Sequence, residues 1–359
     1  MAERTVLMVS TRKGLFLLES DDRRDWTMGG PLCEAWPIYH AILGEDGTIY
    51  AAASSEWLGS SVWRSSDLGE TWAQSSEGLA YDDDSGLKVN KISSLASAHG
   101  RLYVGAESVG LFESTDGGAT FSLVSTLDGA PGREVWNDPA MQPPGHLGLS
   151  AILPYPDSPD HLRVIVQGNS VFDTDDGGKT WAPRNTGLRR DWPPPENPEV
   201  GFCVHKLAPS PVDGQRWYQQ NHVGTWRSDD GGLTWNEITE GLPSDFGFAC
   251  SAHPHDRETF YTVPLDPGHG RTMHDGRASV WRTRDAGSSW QRLGNGLPDH
   301  EAHLGVLREG MTADGQDDFG LYFGTSTGQV FASTDEGESW SEIASYLPSI
   351  SSVRVATLG

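Results

Sequence analysis

Basic residues are scarce in this 359-residue chain. Its 26 Lys and Arg face 50 Asp and Glu, a formal charge of −24. So acidic a surface repels phosphate backbones and anionic lipid, which argues against nucleic acid and membranes as partners. Cysteine is scarcer still. Cys33, Cys203 and Cys250 are an odd number with no paired spacing, so no disulfide framework is expected, and reduced thiols suit the cytoplasm. No apolar run is long enough to cross a membrane. Met1-Ala2-Glu3-Arg4-Thr5-Val6 leads straight into a strand-like segment, so no signal peptide is expected. Also missing are a Gly-rich phosphate loop opening a helix, a Gly-x-Ser-x-Gly elbow and paired Cys/His zinc spacing.

Glycine is plentiful instead, and part of it recurs at a fixed place. Ser228-Asp229-Asp230-Gly231-Gly232-Leu233-Thr234-Trp235 follows the pattern Ser/Thr-x-Asp-x-Gly-x-Thr/Ser-aromatic. Copies run from Ser65 to Trp72, Ser114 to Phe121, Thr174 to Trp181, Thr283 to Trp290 and Ser333 to Trp340, with starts 49, 60, 54, 55 and 50 residues apart. A worn copy spans Ser20 to Trp26, where Asp22 is kept and Arg24 replaces the glycine. A period near 50 marks a repeat architecture. The box has a physical logic. Its Asp accepts turn N–H groups, its Gly takes positive φ without a steric cost, and its aromatic residue fills an apolar slot between neighbouring units.

Between boxes, short alternating runs with Gly, Pro and Asp punctuation predict strands rather than helices. Each unit reads as four strands, A to D, with A nearest the axis and the box joining C to D. The A strands predicted ahead of the later boxes include Lys91 to Ala98, Phe202 to Leu207 and His303 to Leu307. The chain starts on a B strand, Thr5 to Ser10, and ends on an unattached strand, Ser352 to Leu358. The last strand therefore serves as the A strand of the first unit. The prediction is an all-β fold, a seven-bladed β-propeller over residues 1–359 as a single domain, its ring closed by the C-terminal strand. Four long connections, Gln74 to Val89, Ser125 to Gly148, Arg184 to Gly201 and Pro264 to Val280, all fall on the face away from the boxes. Binding is expected there.

The boxes resemble the bacterial-neuraminidase, or Asp-box, repeats, and the chain resembles the sialidase-like Asp-box propellers. Further stretches are similar to a large bacterial family of single-domain, sialidase-like or glycosyl-hydrolase-like propellers. They are Thr11-Arg12-Lys13-Gly14-Leu15-Phe16, Val204-His205-Lys206, Gln220-Asn221-His222-Val223-Gly224, Pro243-Ser244-Asp245-Phe246-Gly247-Phe248 and Gly324-Thr325-Ser326-Thr327-Gly328-Gln329-Val330. The resemblance implies the fold. It does not imply sialidase chemistry, because Thr11-Arg12-Lys13-Gly14 stands where a Phe/Tyr-Arg-Ile-Pro stretch belongs.

Histidine placement is the strongest chemical signal. His40, His146, His205 and His303 fall in or just before four A strands, and His222 follows Gln219, Gln220 and Asn221 in a B–C connection. All five map to one end of the channel. As metal ligands they would hold a divalent ion, Zn²⁺, Mn²⁺ or Ca²⁺, able to polarise a carbonyl or activate water. Each imidazole taken singly has a plainer role, filling a wet funnel. His205, His222, Lys206 and Glu56 are the catalytic candidates. Arg12, Lys13, Trp57, Lys91, Gln219, Asn221 and Arg271 are the ligand-binding candidates, with Lys and Arg favouring a carboxylate against the acidic exterior.

Two readings follow. In the first, a monomeric enzyme binds a small carbohydrate-like or carboxylated ligand, such as a glycan fragment, and cleaves it by metal-assisted hydrolysis or elimination. In the alternative, a non-catalytic propeller docks a protein or peptide on its loop-bearing face.

Overall fold

The seven repeats fold as seven antiparallel sheets of four strands, with strand order A-B-C-D in every sheet. The structure is a computed structural model and describes residues 3–136, 147–190, 199–268 and 270–359. The inner strands of blades 2 to 7 are Ile38–Leu43, Ile92–Ala98, Leu149–Pro154, Val204–Ser210, Gly247–Ala252 and Met311–Ala313. Blade 1 takes its inner strand, Ile350–Leu358, from the far end of the chain. That strand pairs with Arg4–Thr11 from Arg4↔Leu358 to Ser10↔Ser352. The inner strands touch one another around the ring. The molecule is a closed seven-bladed β-propeller, and no helix among the described residues is long and apolar enough to cross a membrane.

Adjacent blades share cores. One cluster joins Phe248, Tyr261 and Val280 of blade 6 to Met311, Phe323 and Trp340 of blade 7. The long connections add to these cores. Leu79 and Tyr81 join the cluster between blades 2 and 3, and Leu127, Ala130 and Trp136 the one between blades 3 and 4. These five residues are thus committed to packing over blade edges.

The boxes form stapled turns. In the box of blade 5, Ser228 Oγ donates to Asp230 Oδ1 at 2.7 Å, and the Thr234 N–H donates to the same oxygen at 2.9 Å. Thr234 Oγ1 donates to Asp230 Oδ2 at 2.6 Å. Gly232 has φ +82°, and a Cβ there would meet Arg163 Nη1 at 2.0 Å. Trp235 Nε1 donates to the Arg184 carbonyl of blade 4 at 3.0 Å, so the box reaches across the blade gap. The worn box keeps its staple, because the Arg24 and Asp25 N–H groups both donate to Asp22 Oδ1 at 2.9 Å. Hydrogen bonds from Thr71 and Ser65 hold the Asp67 carboxyl down at about 2.

One predicted strand is displaced. His303 to Leu307 carries the apolar alternation, with Leu304 and Val306 buried, yet it forms no strand. The Gly310 N–H donates to the Leu307 carbonyl at 2.8 Å in a tight turn, and the inner strand of blade 7 begins only at Met311. The alternation there reflects packing without a ladder.

Removing Ile350 to Gly359 strips blade 1 of its inner strand and uncovers Ile350 and Val353, both wholly buried. The loss is expected to be at least about 3 kcal/mol, read as a fall in melting temperature of more than about 5 °C. A truncated chain that melts with the parent contradicts closure by this strand. Asp230→Ala is expected to cost about 1–2 kcal/mol in a denaturant titration, because two donors and a backbone N–H lose their acceptor.

Candidate functional site

Two adjacent residue pairs, His205-Lys206 in blade 5 and Arg308-Glu309 ahead of the inner strand of blade 7, supply two clusters back to back. His205-Lys206 lies at a register shift of its strand and Arg308-Glu309 in the Leu307 to Gly310 turn, and each pair gives one residue to each cluster.

The inner cluster centres on Glu309, which is buried. Its Oε2 accepts from Lys206 Nζ and from Arg354 Nη2, and lies 3.9 Å from His40 Nε2. The Leu95 N–H donates to His40 Nδ1 and the Arg354 Nε–H to His40 Nε2, both at 3.0 Å. A neutral imidazole has one lone pair for these two donors, so one of them is left without an acceptor. Burial, reinforced by the Arg354 charge, pushes His40 down to about 3. Burial alone would raise the Glu309 carboxyl, but Arg354 and Lys206 override it and hold it far below the usual carboxylate range. Burial pulls Lys206 down against the attraction of Glu309. The cluster thus holds two cations, one carboxylate and a neutral imidazole.

These four residues close the inner end of a cavity of about 920 Å³ along the axis. Tyr155 and Trp217 stand in its wall, and Cys250, its thiol raised by burial to about 12, also lines it. The mouth is formed by Asp157, Pro211 and Pro254 of the A–B turns, with Gln215 at the start of the B strand of blade 5. Those turns share a face with the boxes, since the Gly177 N–H donates to the Asp160 carbonyl and the Ala286 N–H to the Glu258 carbonyl. The cavity therefore opens on the box face, against the expectation that the boxes face away from any site. The A–B turns leave the axis open there, whereas the long loops of the other face pack over the blades.

The second cluster lies at the loop-bearing end. Cys203, His205 and His222 bring their ligand atoms within 4.8 Å of one another. His205 Nδ1 lies 2.6 Å from the Gly247 carbonyl oxygen, which only accepts, so Nδ1 carries the proton. The Nε2 lone pair is left facing Cys203 Sγ at 3.4 Å. Phe246 and Phe248 pack on the His205 ring at 5.5 and 4.7 Å. The guanidiniums of Arg271 and Arg308 stand over Phe248 at 5.5 and 4.8 Å. Burial, with the nearby Arg308 charge, pushes His205 well below its ordinary value.

The structure thus brings His205 and His222 together, adds Arg271 beside them, and places His40 and Lys206 in the other cluster. His303 is exposed, and neither it nor His40 belongs to the Cys203 group. His146 lies outside the described residues. Gln219 and Asn221 are buried, and Gln219 Oε1 and Nε2 and Asn221 Oδ1 have no hydrogen-bond partner. Lys91 is paired with Glu107 and sits over the Tyr39 ring at 5.2 Å. Arg12, Lys13, Glu56 and Trp57 are exposed in the B–C turns of blades 1 and 2, away from the cavity. Sequence reasoning did not select Cys203, Arg308, Glu309 or Arg354. Cys203 had a readable signal, since it stands two residues before His205 and so on the same side.

No protein-family model matches the chain, and no curated protein matches it. Solved structures do. YCF48 bound to D1 peptide superposes with TM-score 0.57 at 14% identity, covering 87% of this chain and 82% of that one. An ancestral GH74 enzyme gives 0.55 at 16%, covering 86% of this chain. The chain spans 38% of that enzyme's length. A 6-phosphogluconolactonase candidate from Bacteroides fragilis gives 0.54 at 11%, covering 99% and 98%. At such identities the likeness speaks for the propeller fold alone.

His40 stays neutral in the native protein down to about pH 3, while an unfolded His takes up its proton near 6.5. Its folded value is depressed, so the stability it contributes is present above about pH 6.5 and is lost as pH falls towards 3. His40→Asn, which can still accept from Leu95, is expected to flatten stability against pH by one proton's slope in that window. An unchanged slope contradicts the assignment.

Proposed function

We propose that the protein binds a small carboxylated, carbohydrate-sized ligand in the axial cavity, entered from the box face. The observation that carries this reading is the inner cluster, two cations against one carboxylate inside a strongly acidic protein. A ligand carboxylate would be drawn to Arg354, whose Nε–H competes with the Leu95 N–H for the single lone pair of His40. A volume of about 920 Å³ suits a ligand of one or two sugar rings. The cavity is lined by only two carboxylates, Glu309 and the mouth residue Asp157. Glu309 is held ionised in two ion pairs, so it suits neither the acid step of glycoside hydrolysis nor proton abstraction, and its part is to fix Lys206 and Arg354. The reading takes the chain as one of the Asp-box, sialidase-like propellers, on its six boxes and their stapled turns, and as cytoplasmic, on three cysteines that form no disulfide.

A second reading rests on one observation. Trp57 is 91% exposed and Leu58 56%, at the tip of a hairpin on the loop-bearing face. Such a tip favours docking of a peptide there, and one structural neighbour is bound to a peptide.

Calorimetry with glucuronate and with glucose separates these readings. Glucuronate is expected to bind and glucose not, with Arg354→Ala weakening glucuronate at least about 10-fold, the loss of one charge-assisted hydrogen bond. Equal binding of both sugars, or no effect of Arg354→Ala, contradicts the cavity reading.

A further inference from the structure

We propose that Cys203, His205 and His222 form a three-ligand Zn²⁺ site at the loop-bearing end of the channel, whose open fourth position takes a carboxylate oxygen steered by Arg271 and Arg308. This site is separate from the axial cavity and does not depend on what binds there.

The geometry supports the ion in three ways. The first is spacing. A tetrahedral site with bonds of ~2.3 Å to sulfur and ~2.0 Å to nitrogen has an S···N edge of roughly 3.5 Å, and Cys203 Sγ stands 3.4 Å from His205 Nε2. His222 needs only a small side-chain adjustment, since all ligand atoms already lie within 4.8 Å. The second is the tautomer. His205 donates Nδ1–H to the Gly247 carbonyl at 2.6 Å, the contact that characteristically orients a ligating imidazole and leaves Nε2 for the metal. The third is the donor set. A thiolate with two imidazoles is soft and borderline, which selects Zn²⁺ and disfavours Mn²⁺ and Ca²⁺. The proposed set takes His205 and His222 from the five candidate imidazoles and adds a thiolate.

Three protein ligands leave a tetrahedral ion one position short, the pattern of sites where a substrate or water enters. What stands beside that position is cationic. Arg308 and Arg271 both lie over Phe248, whose ring is 4.7 Å from that of His205. Neither guanidinium has an ion-pair partner among the described residues, and Arg308 Nε is buried without a hydrogen-bond partner. In a chain with 50 acidic and 26 basic residues, two guanidiniums without a carboxylate are best explained by an incoming one. Arg271 is exposed at the rim and Arg308 is set deeper, so together they lead an anion inward.

The test uses the full chain, stripped with chelator and reloaded with one metal at a time. Zn²⁺ is expected to bind at one ion per chain. Co²⁺ is expected to give a thiolate-to-cobalt charge-transfer band together with intense d–d absorption of a tetrahedral centre. Cys203→Ser is expected to lose the charge-transfer band and to weaken Zn²⁺ at least about 100-fold, since even outer-shell changes cost 10–100-fold. His222→Ala is expected to weaken it similarly. Both keep the test valid if His205→Ala, altered at a buried position, fails to fold. Arg354→Ala, in the other cluster, is expected to bind Zn²⁺ as the parent does. Acetate is expected to shift the cobalt d–d spectrum of the parent and to leave that of the Arg271→Ala/Arg308→Ala double variant unmoved. No cobalt–thiolate band, or Zn²⁺ affinity within about 10-fold of the parent in Cys203→Ser, overturns the metal site. A cobalt spectrum indifferent to acetate in the parent overturns the carboxylate at its fourth position.

Discussion

The pairing of Ile350–Leu358 with Arg4–Thr11 is the constraint on which the rest of the molecule depends. A row of sheets would leave two exposed ladders and no axis. Joining the last strand to the first closes the ring, and closure brings together residues that are remote in sequence. Glu309 of blade 7 meets Arg354 of blade 1, Lys206 of blade 5 and His40 of blade 2 only because the ring is shut. The inner cluster is a product of topology, whereas Cys203, His205 and His222 all come from the A–B hairpin of blade 5.

Burial gives these groups their character. A carboxylate shared by Lys206 and Arg354 in a low-dielectric channel is a costly arrangement whose removal in part leaves an unpaired charge. A well-packed apolar plug would serve stability as well. That the channel keeps a charged floor, and keeps space above it, points to a ligand. The same logic applies at the other end, where Arg271 and Arg308 rest on phenyl rings with no ion-pair partner among the described residues. Two anion-attracting centres inside an acidic exterior would focus a small acid towards the axis from either face.

The fold was legible because its signals are local and repeated. Ser, Asp, Gly and the aromatic residue of each box recur together, and the orphan strand at Ser352 stood out against a chain that began without an A strand. The site was only partly legible. His205 and His222 were marked by type and position, and they do meet. His40 was marked the same way, yet its partners are Arg354 and Glu309, which carry no motif. Arg308 and Glu309 were hidden by a false strand. The alternation of Leu304 and Val306 is real, but the turn at Leu307 to Gly310 shifts the inner strand and re-aims the two charged residues. The face of entry was missed because loop length was taken as a sign of a binding face, when Leu79, Tyr81 and Trp136 spend those loops on packing.

The central claim is that the axial cavity receives a small acid from the box face and holds it against Arg354. A crystal structure of the protein soaked with glucuronate tests this most directly. The account predicts density for the ligand in the axial cavity, its carboxylate within hydrogen-bond reach of Arg354. Glucuronate bound only at the loop-bearing end, or an axial cavity that stays filled with solvent at saturating ligand, would contradict it.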